Sequence, residues 1–180
     1  MKERLVEIAL ECGAANAVVI PQSQIALSAE FRDICRKNSC GNYGKFYSCP
    51  PDIGDIQALM MQVRRYSHGL LYQSVTAVMD SFDFAGMMRA GRLHGQLSQK
   101  IHKVVKPLVG EPMMHMTAGG CFLCKTCAKQ EGKPCRYPEN MLPQLEGCGV
   151  DVYNTVKSID MKYINGKNTV TYFGLLLFVE

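Results

Sequence analysis

Nine of the 180 residues are cysteines: Cys12, Cys35, Cys40, Cys49, Cys121, Cys124, Cys127, Cys135 and Cys148. Their spacing is the chemical signal of this sequence. Cys121-Phe-Leu-Cys124-Lys-Thr-Cys127 is a Cys-x2-Cys-x2-Cys run, with Cys135 following after seven residues. Three thiolates on one tight loop can wrap three corners of a cubane, the arrangement of ferredoxin-type [4Fe–4S] sites. Zinc more often takes separated pairs of ligands, so a tripled run without a second pair favours iron–sulfur over zinc. Gly119 and Gly120 precede the run and free the backbone to curl.

A second constellation is Cys35-x4-Cys40-x8-Cys49-Pro50, again on an irregular, Gly-rich stretch. Its Cys-Pro step is like the end of the bacterial ferredoxin run. Two arrangements are open. Each loop can hold its own group, four ligands in the second and three in the first, the latter leaving an iron open or a non-Cys ligand. Alternatively the loops exchange ligands, Cys49 completing the set Cys121, Cys124 and Cys127 while Cys135 joins Cys35 and Cys40. Cys148 is a further candidate ligand, weighed against a core thiol. Cys12 lies on the apolar face of the first helix and reads as core.

These residues also carry a resemblance. Gly44, the Cys49-Pro50-Pro51 step, Gly-Gly-Cys-x2-Cys-x2-Cys, Pro134-Cys135-Arg136-x-Pro138, Gly149-Val150-Asp151-Val152 and the closing Tyr-Phe-Gly-Leu-Leu-Leu segment are similar to a family of predicted metal-binding proteins of anaerobic bacteria and archaea. The resemblance runs over most of the chain. It implies a cysteine-rich, iron–sulfur-binding protein in which Cys35, Cys40, Cys49, Cys121, Cys124, Cys127 and Cys135 match the motif cysteines. Leu145-Glu146-Gly147 departs from the Ser-x-Glu-Ala-like sequence typical there.

Other residue types are weaker signals. Lys125, Lys129, Lys133 and Arg136 stand against Glu131 in the second loop, a local charge of +3 from four cations and one anion. Such cations would stabilise a reduced cluster or dock an acidic redox partner. Met113-Met114-His115-Met116 invites copper, but alternation on a strand sends neighbours to opposite faces, and a core strand is the better reading. His94 and His102 read as hydrogen-bonded structural residues. Arg64, Arg65 and Tyr47 are the polar groups available to act over an open iron. No nucleotide fingerprint, phosphate loop or serine elbow is present.

The elements that must position these groups follow from periodicity. Residues 2–12 read as a helix closed by Gly13, 17–20 as a buried strand, and 26–34 as a weaker helix. Asp52 is placed to cap the next helix, which carries Ile53, Ile56, Met60 and Val63. Residues 70–79 are β-rich, 84–106 form the longest helix with Pro107 ending it, 113–116 a short strand, and 150–158 a helix. Asn165-Gly166 predicts a hairpin between 160–164 and 168–179. Gly86, Gly91 and Gly95 weaken the long helix and suit close packing, within the domain or across a homodimer. The expected fold is α+β: a mixed β-sheet of about four to five strands covered by helices, with two Cys-rich metal-binding loops. The length fits one metal-binding domain over residues 1–180.

Composition bounds the rest. The net charge is +4, from 20 Lys plus Arg against 16 Asp plus Glu, and hydrophobic residues make up 47%. That excludes disorder and gives no basic patch for nucleic acid. No apolar run reaches the roughly 18 residues of a membrane span. The odd cysteine count, a chain large enough to build its own core, and an amphipathic start without an export segment predict free thiols in the cytoplasm. The function expected is a protein with one or two [4Fe–4S] clusters, in electron transfer with a redox partner protein. The alternatives are an enzyme binding a small substrate at an open cluster iron, a zinc-stabilised binding module and a cluster carrier.

Overall fold

The most apolar run of the chain closes it. In a computed structural model covering residues 1–180, this run forms most of a ten-residue strand, Thr169–Phe178, buried on both faces. Phe173, Leu175 and Leu177 enter one core cluster, and Leu176 and Phe178 enter another. The period-two alternation of a strand makes that division. Helices and loops cover both sides, so neither face can be polar. Truncating a fully buried leucine such as Leu175 to alanine would cost about 2–5 kcal/mol.

Four strands form one sheet: β1 (Asn16–Pro21), β2 (His68–Ala77), β3 (Met113–Met116) and β4 (Thr169–Phe178), in the order β1-β2-β4-β3. All three pairings are antiparallel, with Val18 opposite Leu71, Leu71 opposite Leu175, and Met116 opposite Leu175. An isolated parallel bridge, Thr117 to Gln144, extends the β3 side. The helices are α1 (Lys2–Cys12), α2 (Glu30–Arg36), α3 (Ile56–Val63), α4 (Phe84–Val109) and α5 (Val152–Lys157). The smaller core packs α1 and α4 on one face, through Leu5, Ile8, Leu97, Ile101 and Val105. The larger lies on the other face under α3, α5 and the Leu145–Val150 segment. The α+β architecture is as the sequence predicts.

Several local expectations are corrected. Residues 160–164 form no strand. β4 pairs along its whole length with β2, and with β3 only over Leu175–Phe178, so its long-range partner β2 takes the place of a local hairpin arm. The Asn165 side chain instead ties the turn to Thr171 Oγ1 (3.0 Å) and Gln73 Oε1 (3.4 Å). Pro107 does not end α4, which continues to Val109 and closes at Gly110. Pro107 removes its own bond to Lys103 and crowds that carbonyl, but the Gly110 N–H still closes on the Lys106 carbonyl at 3.0 Å. Asp55, not Asp52, caps α3, accepting the Ala58 N–H at 3.0 Å. The predicted 26–34 helix is shifted to Glu30–Arg36, because Leu27 is taken by a bridge to Val150. Cys35 therefore sits in the last turn of α2.

A polar seam runs beneath α4. His102 Nδ1 lies 3.2 Å from His115 Nδ1, and His115 Nε2 lies 2.7 Å from the Tyr72 hydroxyl. Tyr72 donates to Ser98 Oγ at 2.8 Å, and Ser98 meets Thr117 Oγ1 at 2.8 Å. His94 bridges Ser74 Oγ and the Phe173 carbonyl at 2.8 and 2.9 Å. Burial holds His94 down at about 4 and His115 well below the usual histidine range, so both are neutral at pH 7. Gly174 leaves room for the Tyr72 ring, which a Cβ there would strike.

Candidate metal centre

The first cysteine loop is shaped by its own backbone bonds. Asn38 takes a left-handed conformation (φ 53°), and its Oδ1 accepts the Tyr43 N–H at 2.9 Å. Gly44, at φ 71°, donates to the Pro50 carbonyl at 2.9 Å and folds the loop back on itself. Cys35, Cys40 and Cys49 then line one cavity of about 450 Å³, with Asn42, Tyr43 and Glu146 among the polar groups of its wall. Cys49 is buried and Cys40 exposed. No Lys or Arg side chain lines this cavity. Burial pushes the Cys49 thiol up to about 12, opposed by its contact with Ser48 and reinforced by Cys40, Cys35 and Cys121. Cys35 is raised by burial and by Glu146 and Cys40. Burial thus disfavours the thiolate form of Cys35 and Cys49, whereas bound iron or another cation would reverse that balance.

The second loop draws Cys121, Cys124, Cys127 and Cys135 to one small cavity, walled by Tyr47, Leu123, Tyr137 and Met141. Burial raises the Cys121 thiol, and Cys127, Cys135 and Cys124 add to it. Arg136 lines this cavity with Cys124, donates to the Thr126 carbonyl at 3.0 Å and pairs with Glu131 at 2.7 Å. The loop is seated on α4 by two glycines. A Cβ on Gly119 would stand 3.0 Å from Gly91 Cα, and Gly119 already requires a positive φ of 88°. Gly95 likewise meets the Phe122 ring. These glycines are used for packing within the chain.

The seven motif cysteines therefore fall into two neighbouring groups, three and four, each drawn from one loop. Cys49 stands with Cys35 and Cys40, and Cys135 with Cys121, Cys124 and Cys127. Cys49 and Cys121 are close enough to feel each other's charge. Cys148 is fully buried in the larger core, outside both cavities, and Cys12 packs against the smaller one.

No three His, Cys, Asp or Glu side chains converge tightly enough to hold a single metal ion. A tetrahedral zinc draws its sulfurs to about 2.3 Å from one point, while a cubane spreads its ligands over four irons. All-thiol donor sets suit a soft metal centre. Cys121, Cys124, Cys127 and Cys135 would hold one, and Cys35, Cys40 and Cys49 another.

The remaining sequence candidates are placed as follows. Lys129 is ion-paired with Asp52 and lies 5.5 Å from the Tyr47 ring centre, and Lys133 shares Glu131 with Arg136. Asp52 brings in a second anion, so four cations face two carboxylates, a local +2. Tyr47 lines the four-thiol cavity and donates to the Lys133 carbonyl at 2.8 Å. Arg64 and Arg65 line neither cavity. No histidine lines them either, and His94, His102 and His115 are engaged in the seam beneath α4. Met114 and Met116 point into the larger core, while His115 points to the opposite face.

Sequence reasoning missed Gln144, Glu146 and Arg32. Burial raises the Glu146 carboxyl above the usual range. Arg32 clamps the turn beside it, donating to the Gly54 and Gly147 carbonyls at 2.9 Å each. Gln144 and Glu146 are about a hundred residues from the first loop in sequence, and no local spacing rule joins them to it.

No helix is long and apolar enough to cross a membrane. Neither a search of curated proteins nor one of solved structures returned a match. A family model described as "Predicted metal-binding protein (DUF2284)" matches residues 18–178, a span that holds the whole sheet but for the first two residues of β1, and all seven motif cysteines. The chain belongs to that family of predicted metal-binding proteins.

Proposed function

We propose that this protein carries two [4Fe–4S] clusters and transfers electrons to or from a partner redox protein. The observation that supports this most strongly is the division of seven thiols between two cavities, four at one and three at the other. Bound clusters would supply one-electron redox chemistry. The chain's residues would anchor them, exclude water and hold their charge. The closed four-thiol cavity, with Arg136 and two tyrosines in its wall, suits a cluster that only passes electrons. The nearness of Cys49 and Cys121 suits electron exchange between the two.

Protein purified without oxygen should contain iron and sulfide in equal amounts, about eight of each per chain. Its broad visible absorption should bleach on reduction, with paramagnetic resonance of two interacting reduced clusters. A colourless protein with stoichiometric zinc would overturn the reading in favour of a zinc-stabilised module.

A second reading is favoured by the 450 Å³ cavity beside the three-thiol set. With only three cysteines, one iron there lacks a protein thiolate and can bind a small substrate. Small ligands such as cyanide should then perturb the resonance of the first-loop cluster alone. Identical perturbation of both clusters, or of neither, would count against it.

A further inference from the structure

One buried amide at the junction of the two loops lacks a partner. Gln144 lies beside both cysteine sets in a short extended segment bridged to Thr117. Its backbone N–H donates to the Ser48 carbonyl at 3.0 Å, next to Cys49. Its Oε1 accepts the Gly120 N–H at 3.1 Å, next to Cys121. Its carbonyl accepts the Cys148 N–H at 3.1 Å. Only the Nε2 group is left, buried and without any acceptor.

The orientation of this amide is fixed by chemistry. Gly120 N–H is a donor and can bond only to the oxygen, so the NH2 end must lie on the other side. Gln144 also lines the cavity of Cys35, Cys40 and Cys49. A buried donor left unmade is unfavourable, and native folds rarely tolerate one. The acceptors that this cavity would gain on loading are thiolate and sulfide sulfurs. Hydrogen bonds to those sulfurs stabilise the more negative, reduced state.

We infer that the Gln144 Nε2 amide donates a hydrogen bond to a sulfur of the iron–sulfur group held by Cys35, Cys40 and Cys49 and raises its reduction potential. This rests on the iron–sulfur reading above. Gln144 is a positioning and tuning residue, with no part as a ligand. Because its oxygen is tied to Gly120, the same side chain also couples the first group to the backbone that carries Cys121. Two other buried donors, Arg32 Nε and Gln73 Nε2, are unpartnered, but neither residue lines either cavity.

The test is potentiometry of the anaerobic, cluster-loaded protein, wild type against Gln144→Met and Gln144→Glu. Methionine removes the donor. Glutamate keeps an oxygen for Gly120 but sets a second one toward the thiolates. Both variants should retain iron and sulfide. The first-loop cluster, identified by loss of its signal in Cys49→Ser, should shift to lower potential. At a fixed ambient potential its reduced-to-oxidised ratio should fall roughly tenfold, about 59 mV for one electron. The second cluster should move little. Unchanged potentials with full iron content would overturn the inference and leave the iron–sulfur reading intact. If the variants fail to load, wild-type protein with isotope-labelled glutamine side-chain nitrogen decides. Hyperfine coupling from that nitrogen to the reduced first-loop cluster is expected, and its absence overturns the inference. Wild-type protein without iron and sulfide would sink the underlying reading itself.

Discussion

The two cysteine cavities are built from the same side chains to opposite ends. The second gathers four thiols inside aromatic walls, with Arg136 lining the cavity and Lys129 and Lys133 paired to Asp52 and Glu131. The first gathers three thiols around a much larger opening, with no cation on its wall and with Cys49 deeply buried. A closed set with a basic rim favours storage and passage of electrons. An open, anion-rich set favours a group with a free coordination position. Ligand count and access thus differ more than ligand chemistry does, and that difference separates the two roles proposed.

The largest effect should come from ligand loss in either cavity. Cys121→Ser should remove the second cluster and roughly half of the iron and sulfide, while Cys35→Ser should remove the first cluster instead. Loss of all iron in both variants would mean that the two sets form one unit, and the contrast between them would be lost. Next in size is backbone strain under the second loop. Gly119→Ala places a Cβ 3.0 Å from Gly91 Cα at a left-handed position. It should destabilise the protein by about 1–3 kcal/mol and loosen the second cluster before the first, seen by thermal melting and by iron release to a chelator.

The metal-free protein should also show a pH signature. Burial raises Cys49 and Cys148 from 9.0 to about 12. A thiol whose folded value is raised stabilises the fold below its unfolded value and loses that contribution as pH rises toward the folded one. Between pH 9 and 12, each should cost the metal-free fold about 1.4 kcal/mol per pH unit. Denaturant titrations across that range would measure the slope. Loading with iron should abolish the Cys49 part and leave that of Cys148, which lies outside the cavities. The smallest effect should be at the rim. Lys129→Ala breaks an exposed pair with Asp52 and should leave melting temperature and iron content almost unchanged. A marked loss of iron there would show that the second cavity depends on its rim charge.

Much of this was legible in sequence because the governing patterns are local. The Cys-x2-Cys-x2-Cys run, the α1 periodicity closed by Gly13, and the alternation that turns His115 away from Met114 and Met116 all act within a few residues. What failed was non-local. Asn165-Gly166 does mark a turn, but β4 finds its partners in β2 and β3, a choice no short window encodes. The approach of Gln144 and Glu146 to the first loop likewise depends on segments far apart in sequence. Pro107 misled for a simpler reason: a proline in the last turn disturbs only that turn, and Gly110 completes the end.

The hydrogen-bonded row from His102 through His115, Tyr72 and Ser98 to Thr117 gives α4 a keyed seat. An oily interface alone would let the helix ratchet by a turn at modest cost, but here every slipped position strands donors and acceptors in a dry interior. The lock fixes Gly91 against Gly119, and through Gly119 it sets where Cys121 begins its curl. Precision at the thiols is thereby inherited from imidazoles and hydroxyls that touch no sulfur at all.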